Sequence, residues 1–237
     1  SFPQRINSVV YSSDGLYLAA ACEDGIAGLF DAKTGAPIRQ FIKHTAPVKA
    51  VAFSPNNKFI LTGGDDKTVN LWNIENVVPD KTLEIGNPVL KIAFMPDGKN
   101  GIFSLKNEKN SNGAEIWDLE KGQKLRDISF QNQGMSVAVT PNGKEILLVS
   151  GRRLDKKIHI FEAATGQKSR EIRGFTDLVA FLDISNDGKN ILTGSIYTTI
   201  ANESVITSAL WNLVKGNKSE WWKERQKSPK PDDMRVK

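Results

Sequence analysis

The strongest constraint on the fold of this 237-residue chain is a pair of markers that recurs along most of its length. One marker is a short turn sequence, and the other is an aromatic residue followed by an acidic or amide residue. Successive aromatic residues are 42, 45, 44 and 50 positions apart, so the chain consists of five repeated units. The turns are SSDG at 12–15, SPNN at 54–57, MPDG at 95–98, TPNG at 140–143 and SNDG at 185–188, and the dipeptides are Phe30-Asp31, Trp72-Asn73, Trp117-Asp118, Phe161-Glu162 and Trp211-Asn212.

The second unit shows most clearly what one repeat folds into. Its apolar runs, Val48–Phe53, Phe59–Thr62 and Val69–Trp72, are short and rich in Val, Ile, Phe and Thr, which favours strands over helices. The intervening SPNN and GGDDK contain residues that tolerate tight reversals. With a fourth strand from Val77–Ile85, the unit predicts a four-stranded antiparallel meander.

A four-stranded meander repeated about every 44 residues, with a Trp-Asp-like dipeptide, resembles the WD-repeat β-propeller family. The resemblance covers nearly all of residues 4–222. It implies an all-β fold in which each unit is one antiparallel blade, within a propeller of residues 1–222. The expected blades are about 5–42, 44–85, 87–129, 132–173 and 175–222, and a basic polar tail follows at 223–237.

The resemblance also implies a buried hydrogen-bond network in the second blade. Such a network stabilises the fold, because buried polar groups are tolerated when they are paired. The other four units lack its histidine, and the fourth offers only Ser150 and Asp155, so we expect their blades to be held mainly by apolar packing. The residues at the network positions of the second unit are His44, Thr62, Asp66 and Trp72.

A count of five blades does not decide how the ring is closed. Rings of this family usually have about seven blades, and an unclosed array would expose two blade faces. If each face hides on the order of 400 Å², exposing it forfeits roughly 10 kcal/mol. We therefore expect the ring to belong to a larger propeller or to be completed by another chain, with a compact five-bladed ring as the alternative. An unclosed face would itself be a binding surface.

The residues that catalysis or metal binding would need are sparse. Two histidines and one cysteine do not make a zinc site, and His159 alternates with apolar residues as an ordinary strand residue does. Cys22 is expected to be a buried structural residue. Neither a phosphate-binding loop nor a nucleophile motif is found in the sequence. We expect a non-enzyme without cofactor or metal.

Several segments outside the repeat pattern are candidate partner-binding sites. The insertion at 196–207, which includes Tyr197, is either a lengthened hairpin or a docking loop. The tail carries most of the charge: residues 214–237 contain eight basic and four acidic residues, +4 of the total of +5. The remaining candidates are the rim residues Arg5, Lys43, Asn87, Gln133 and Phe175, the basic turn residues Arg152, Arg153, Lys156 and Lys157, and Trp221, Trp222, Lys223 and Arg225 near the tail.

Three functions fit these features. The leading one is a non-catalytic scaffold that organises other protein subunits through its rim, its open face and its tail. The alternative is association with nucleic acid through the tail and the 151–157 loop, and a channel-site enzyme or ligand binder comes third. No apolar run is long enough to span a membrane. The cytoplasm is the expected compartment, with export of a processed chain left open because the sequence begins with Ser1.

Overall fold

The computed structural model of the protein describes residues 4–106, 113–128, 130, 134–150, 155–175, 178–198, 204–213 and 217–218. All regular elements in these ranges are strands, β1 to β20, and they form five four-stranded sheets. Each sheet is one blade, and neighbouring strands within it are antiparallel. The described part of the chain contains no helix with the length and apolar character that a membrane crossing requires.

The first two blades follow the turn chemistry of the sequence closely. Gly25, at the reversal between two strands of blade 1, has a φ of 84°, a conformation that glycine adopts without strain. Blade 1 contains β1 (Ile6–Tyr11), β2 (Tyr17–Cys22), β3 (Ile26–Asp31) and β4 (Pro37–Ile42). Blade 2 contains β5 (Val48–Phe53), β6 (Phe59–Gly64), β7 (Thr68–Asn73) and β8 (Lys81–Glu84).

The remaining three blades repeat this order. Blade 3 contains β9 (Val89–Phe94), β10 (Asn100–Leu105), β11 (Ala114–Asp118) and β12 (Gln123–Ile128). Blade 4 contains β13 (Gly134–Val139), β14 (Glu145–Ser150), β15 (Ile158–Glu162) and β16 (Lys168–Ile172). Blade 5 contains β17 (Leu178–Ile184), β18 (Asn190–Thr198), β19 (Ser204–Asn212) and β20 (Asn217–Lys218).

The first strand of every blade is its inner strand. Together the five inner strands line a central cavity of about 680 Å³, to which each contributes side chains. The expected all-β, five-bladed propeller is confirmed.

Every inner strand carries an irregularity near its start, one residue after the first residue of the strand in blades 1 to 4 and two residues after it in blade 5. In blade 2, Val48 pairs with Gly64 and Ala50 pairs with Gly63, so Lys49 between them is the extra residue of a β-bulge. The other four inner strands shift register at the corresponding residue. A bulge increases local twist and redirects a side chain.

Hydrophobic clusters join each blade to the next. We call the side of a blade that packs on the following blade its forward face, and the opposite side its rear face. The forward face of blade 1 contributes the small residues Ala19, Ala21 and Ala27 as well as larger ones, and side chains such as Ile60 and Trp72 form the rear face of blade 2. Three similar clusters join blades 2 and 3, 3 and 4, and 4 and 5.

The rear face of blade 1 and the forward face of blade 5 are different. No cluster of described residues joins these two faces, which we call the seam. Ile6, Val9 and Tyr11 are exposed on the blade 1 side, and Phe181 and Leu192 on the blade 5 side. The described blades thus follow one another around the channel, and exposed apolar side chains remain on both sides of the seam.

The 196–207 insertion lengthens a hairpin. Strands β18 and β19 remain paired out to Thr198 and Ser204, well beyond the corresponding pairs of the other blades. Of the two interpretations that the sequence left open, the backbone pairing agrees with the lengthened hairpin.

Candidate functional site

A buried chain of hydrogen bonds crosses blade 2. The indole nitrogen of Trp72 lies 2.8 Å from the hydroxyl of Thr62, which in turn lies 2.8 Å from Nε2 of His44. Nδ1 of His44 lies 2.8 Å from the carboxylate of Asp66. The four residues that the resemblance singled out therefore lie in one continuous network, and the His44 side chain is completely buried.

The partners determine which groups donate. The indole can only donate, so Thr62 accepts from Trp72 and donates its own proton to Nε2 of His44. Nδ1 of His44 then carries a proton and donates to Asp66. Burial alone would raise the pKa of the Asp66 carboxyl, but His44 and the Thr45 amide hold that pKa below its ordinary value. Asp66 thus accepts hydrogen bonds as a carboxylate.

Three further residues belong to this network and were not predicted. The hydroxyl of Thr68 donates to Asp66 over 3.0 Å, and the amide of Asn70 lies 3.1 Å from Nε2 of His44. Thr82, on the outer strand, donates to the Asn70 carbonyl oxygen over 2.6 Å. The sequence could have indicated Asn70, because it is a polar residue between Val69 and Leu71 in a mostly apolar strand. The structure shows that Asn70 is completely buried.

In blade 3 the tryptophan indole N–H has a different hydrogen-bond acceptor. Strand pairing places Phe103 where blade 2 has Thr62, so the second strand offers no hydroxyl at that position. The Trp117 indole instead donates to the carboxylate of Glu115 over 2.8 Å, and Lys124 lies 3.4 Å from the other oxygen of that carboxylate. We expected this blade to be held mainly by apolar packing, and the structure adds a buried polar contact to that packing.

Blade 4 contains a second histidine–aspartate pair, formed by His159 and Asp155. Nε2 of His159 lies 2.9 Å from the Asp155 carboxylate, and its ring packs edge-on against Phe130 at 5.0 Å. Burial lowers the pKa of His159 below its usual range, although Asp155 opposes this effect. Ser150 does not correspond to Thr62, as the sequence had suggested, because the register places Leu148 at that position.

The open rear face of blade 1 is the largest departure from the repeat. The same inner-strand position is occupied in blades 1 to 5 by Val9, Val51, Ile92, Val137 and Leu182. The relative exposure of Val9 is 51%, whereas the other four range from 5% to 8%. Ile6 is 45% exposed, and its blade 2 counterpart Val48 is fully buried. Side chains that form an interface in every other blade lack a neighbour here among the described residues.

The bulge residues connect blades 1 and 2 at the rim. The side-chain amide of Asn7 donates to Glu23 over 2.7 Å and to the Val48 carbonyl oxygen over 2.9 Å. Lys49, the bulge residue of blade 2, lies 3.1 Å from Glu23 and 3.4 Å from Asp65. The Asn7 amide and then Lys49 hold the pKa of Glu23 below its ordinary value. This polar chain fixes blade 1 on blade 2.

The predicted rim residues do not all present free side chains. Arg5 and Lys43 are exposed, and Asn87 is half-buried. Phe175 packs on Trp211 with ring centroids 4.2 Å apart, in the cluster between blades 4 and 5.

The basic turn of blade 4 is partly neutralised within the blade. Lys157 lies 3.3 Å from the Glu171 carboxylate and Lys168 lies 2.5 Å from it, while Arg173 also contacts it. Hydrogen bonding from Lys168 first, and then from Lys157, lowers the pKa of Glu171 to about 2. Lys156 is exposed and has a partner of its own.

Several candidates fall outside what the structure describes. The backbone of Tyr197 lies in β18, but its side chain is among them. Among the described residues, no three His, Cys, Asp or Glu side chains converge as metal ligands would. The other candidates outside the described residues are Gln133, Arg152, Arg153, Trp221, Trp222, Lys223 and Arg225.

Comparison with known proteins agrees with this architecture. The family model "WD domain, G-beta repeat" matches residues 2–31, which contain β1 to β3, and residues 35–73, which contain β4 to β7. The chain is 27% identical over 186 residues to the U3 small nucleolar RNA-associated protein 15 homolog of Xenopus laevis, covering 78% of this chain and 35% of that protein. It is 25% identical over 219 residues to the serine-threonine kinase receptor-associated protein of Gallus gallus, covering 92% and 58%. The chain thus spans about a third to three fifths of these curated relatives.

Solved structures share the fold at low sequence identity. The β-propeller domain of Myceliophteria thermophila Cps50 (Swd1) superposes with a TM-score of 0.70 at 13% identity, covering 88% of this chain and 73% of that one. Kuenenia stuttgartiensis hydrazine synthase superposes with a TM-score of 0.75 at 16% identity, covering 92% and 66%. At such identities the likeness concerns the fold alone. The matched repeats, the Trp-Asp-like dipeptides and the five blades all support a WD-repeat β-propeller family for this chain.

Proposed function

We propose that this chain is a non-catalytic scaffold that receives a partner protein on the rear face of blade 1. The observation that carries the proposal is the exposure of Val9, which is 51% against 8% or less at the same position of the other blades. Contiguous apolar surface of this kind marks protein interaction sites. The repeat indicates the kind of surface that fits there, because every other rear face packs on the apolar face of a four-stranded sheet.

The relatives support the setting of an assembly. One is named as a nucleolar RNA-associated protein and another as a receptor-associated protein, which are names of complex components. In this proposal the blades form a rigid platform, the rim residues Arg5 and Lys43 contribute polar contacts, and residues 223–237 form a separate basic tail.

The experiment compares three tagged full-length chains expressed in the same cells. The wild type is set against Val9→Glu and against Val77→Glu, a control with the same substitution at a valine that is 63% exposed and distant from the seam. Cross-linking before purification, with mass spectrometry, identifies proteins linked to blade 1. We expect at least one such protein to be lost with Val9→Glu and retained with Val77→Glu, at unchanged thermal stability of both variants. An identical set of linked proteins in all three chains would contradict the proposal.

An RNA-containing assembly is the second candidate, and the name of the Xenopus relative is the observation that favours it. Binding through phosphates weakens steeply as salt rises, because bound cations are released from the nucleic acid. Measuring RNA binding of the chain between low and moderate salt tests this directly. A flat salt response, or no binding at low salt, would leave only a protein partner.

A further inference from the structure

Blade 3 carries a charged residue at a position that is uncharged in the other four blades. The position is the inner-strand residue directly after the bulge, and its occupants in blades 1 to 5 are Ser8, Ala50, Lys91, Ser136 and Phe181. The alanine of blade 2 shows that the fold needs no charge there. We propose that Lys91 and its cross-strand partner Ser104 form a binding site for an anionic group, a carboxylate or a phosphate. The inference is independent of the docking face proposed on blade 1.

The register places Lys91 on the face of blade 3 that packs on blade 4. Lys91 pairs directly with Ser104 of β10, and paired residues of antiparallel strands have their side chains on the same face. A Cβ on Gly134, the first residue of β13 in blade 4, would lie 3.1 Å from the Ser104 Cβ. Ser104 therefore faces blade 4, and Lys91 beside it faces the same interface.

The hydroxyl of Ser104 is a buried polar group that lacks a partner. The side chain is completely buried, and its oxygen makes no hydrogen bond with any described residue. Such a group is unfavourable and rare in folded proteins. The other blades avoid it, because the residues at the same place in blades 1, 2, 4 and 5 are Ala21, Gly63, Val149 and Gly194.

The ammonium of Lys91 lacks a counter-charge. Lys91 is half-buried, and burial lowers the pKa of its amine below the ordinary value. Within the described part of the chain, no carboxylate opposes this shift. Lys49 of blade 2 shows the usual arrangement, because it lies 3.1 Å from Glu23 and 3.4 Å from Asp65. Buried cations are normally paired in this way, so Lys91 is an exception that calls for an anion.

One anionic group would satisfy both residues. Its charge pairs with the Lys91 ammonium, and one of its oxygens accepts the proton of the Ser104 hydroxyl. Hydrogen bonds between ammonium and oxyanion are stronger than neutral ones, so the pair favours a carboxylate or a phosphate over a neutral amide. The Ser104 oxygen is enclosed in the structure. Binding therefore requires Lys91, which shares its face, to reorient, and the four-carbon stem of a lysine is flexible enough to do so.

Thermal unfolding of the full chain with two probes tests the site. Inorganic phosphate is the first probe. The second is N-acetylglutamate amide, whose carboxylate represents an acidic side chain of a partner protein. Potassium chloride keeps the ionic strength constant in both series. The variants are Lys91→Met, which keeps the length of the side chain without its charge, and the control Lys99→Met, at an exposed lysine of the same blade.

We expect at least one probe to raise the unfolding midpoint of the wild type by about 3 °C at ten times its dissociation constant. The probe that does so distinguishes a free phosphate from an acidic side chain as the source of the anion. Lys99→Met should respond as the wild type does, and Lys91→Met should not respond. In chloride alone, Lys91→Met should unfold at a higher temperature than the wild type, because an unpaired, half-buried cation has been removed.

A chemical measurement on the unaltered chain gives an independent readout. Acetic anhydride acetylates exposed lysine amines, and peptide mass spectrometry gives the rate at each lysine. At ten times its dissociation constant, the bound probe should slow acetylation of Lys91 by about tenfold and leave Lys99 unchanged. Ser104→Ala should weaken binding of the same probe by about fivefold, which corresponds to the loss of one hydrogen bond.

The proposal is overturned if neither probe changes the midpoint of the wild type or the acetylation of Lys91. It is also overturned if Lys91→Met responds to the probes as strongly as the wild type. A Lys91→Met variant that is less stable than the wild type in chloride, with Lys91 unprotected in the wild type, would assign the lysine to packing alone. Unchanged affinity in Ser104→Ala would remove the hydroxyl from the site and overturn the pairing on which the proposal rests.

Discussion

The indole N–H of Trp117 donates to the carboxylate of Glu115, two residues earlier on the same strand, over 2.8 Å. Both side chains are buried. In blade 2 the equivalent indole reaches across to Thr62 on the neighbouring strand. Two blades therefore satisfy the same donor through different geometry.

Replacing Glu115 with alanine should cost about 1–3 kcal/mol of unfolding free energy, because a buried indole N–H loses its acceptor. Urea unfolding followed by fluorescence measures the change. Glu115→Gln keeps an acceptor oxygen and should lose less. Equal losses for the two variants would show that packing, rather than the hydrogen bond, is responsible.

We expect a similar loss of unfolding free energy when the longer hydrogen-bond network of His44 is broken. His44→Ala breaks the link between Thr62 and Asp66, and should destabilise the chain by about 1–3 kcal/mol. Trp72 also packs on Phe41 of blade 1 at 5.0 Å, so loosening should extend across that interface. The exposed neighbour provides the control, since Lys43→Ala should change the stability by less than about 0.5 kcal/mol. A neutral His44→Ala would rule out a structural role for the network.

The seam predicts unequal effects at equivalent valines. Val51→Ala removes buried methyl groups and should cost about 2 kcal/mol. Val9→Ala acts at an exposed site and should cost less than about 0.5 kcal/mol in the isolated chain. Both values come from denaturant midpoints under the same conditions. Similar costs would mean that the seam is closed in solution.

Acid should weaken the cluster around Glu171. Its pKa of about 2 lies below the ordinary value of 4.5, so the folded chain holds this proton less strongly than the unfolded chain. The stabilisation is therefore complete above pH 4.5 and is lost as the pH falls toward 2. Denaturation midpoints measured across that window should fall with acid more steeply for the wild type than for Glu171→Gln. Parallel curves would contradict this assignment.

The strands of blade 2 show what local sequence can predict. Alternating apolar residues and turn residues located β5 fully and β6 and β7 to within two residues. The fourth strand was expected within Val77–Ile85 but occupies only Lys81–Glu84. Pro79 lies within the expected run and cannot donate a ladder hydrogen bond, which explains the later start.

The polar substitutions were harder to predict because they depend on register. Ser150 had the right chemistry but the wrong position, and only strand pairing reveals that Leu148 corresponds to Thr62. The bulge at Lys49 has no local signature, since the strand retains its apolar pattern on both sides. Glu115 could have been predicted from the sequence, because it shares a strand face with Trp117 in an otherwise apolar run.

The seam also has a mechanical meaning. A closed propeller resists deformation as a hoop does, because every blade is braced on both sides. Among the described residues the seam lacks such a brace, since the four hydrophobic clusters join blades 1 to 5 in order and none joins blade 5 to blade 1. Each end blade is therefore held by one packed face instead of two, and we expect blades 1 and 5 to exchange their backbone amide protons faster than blades 2, 3 and 4.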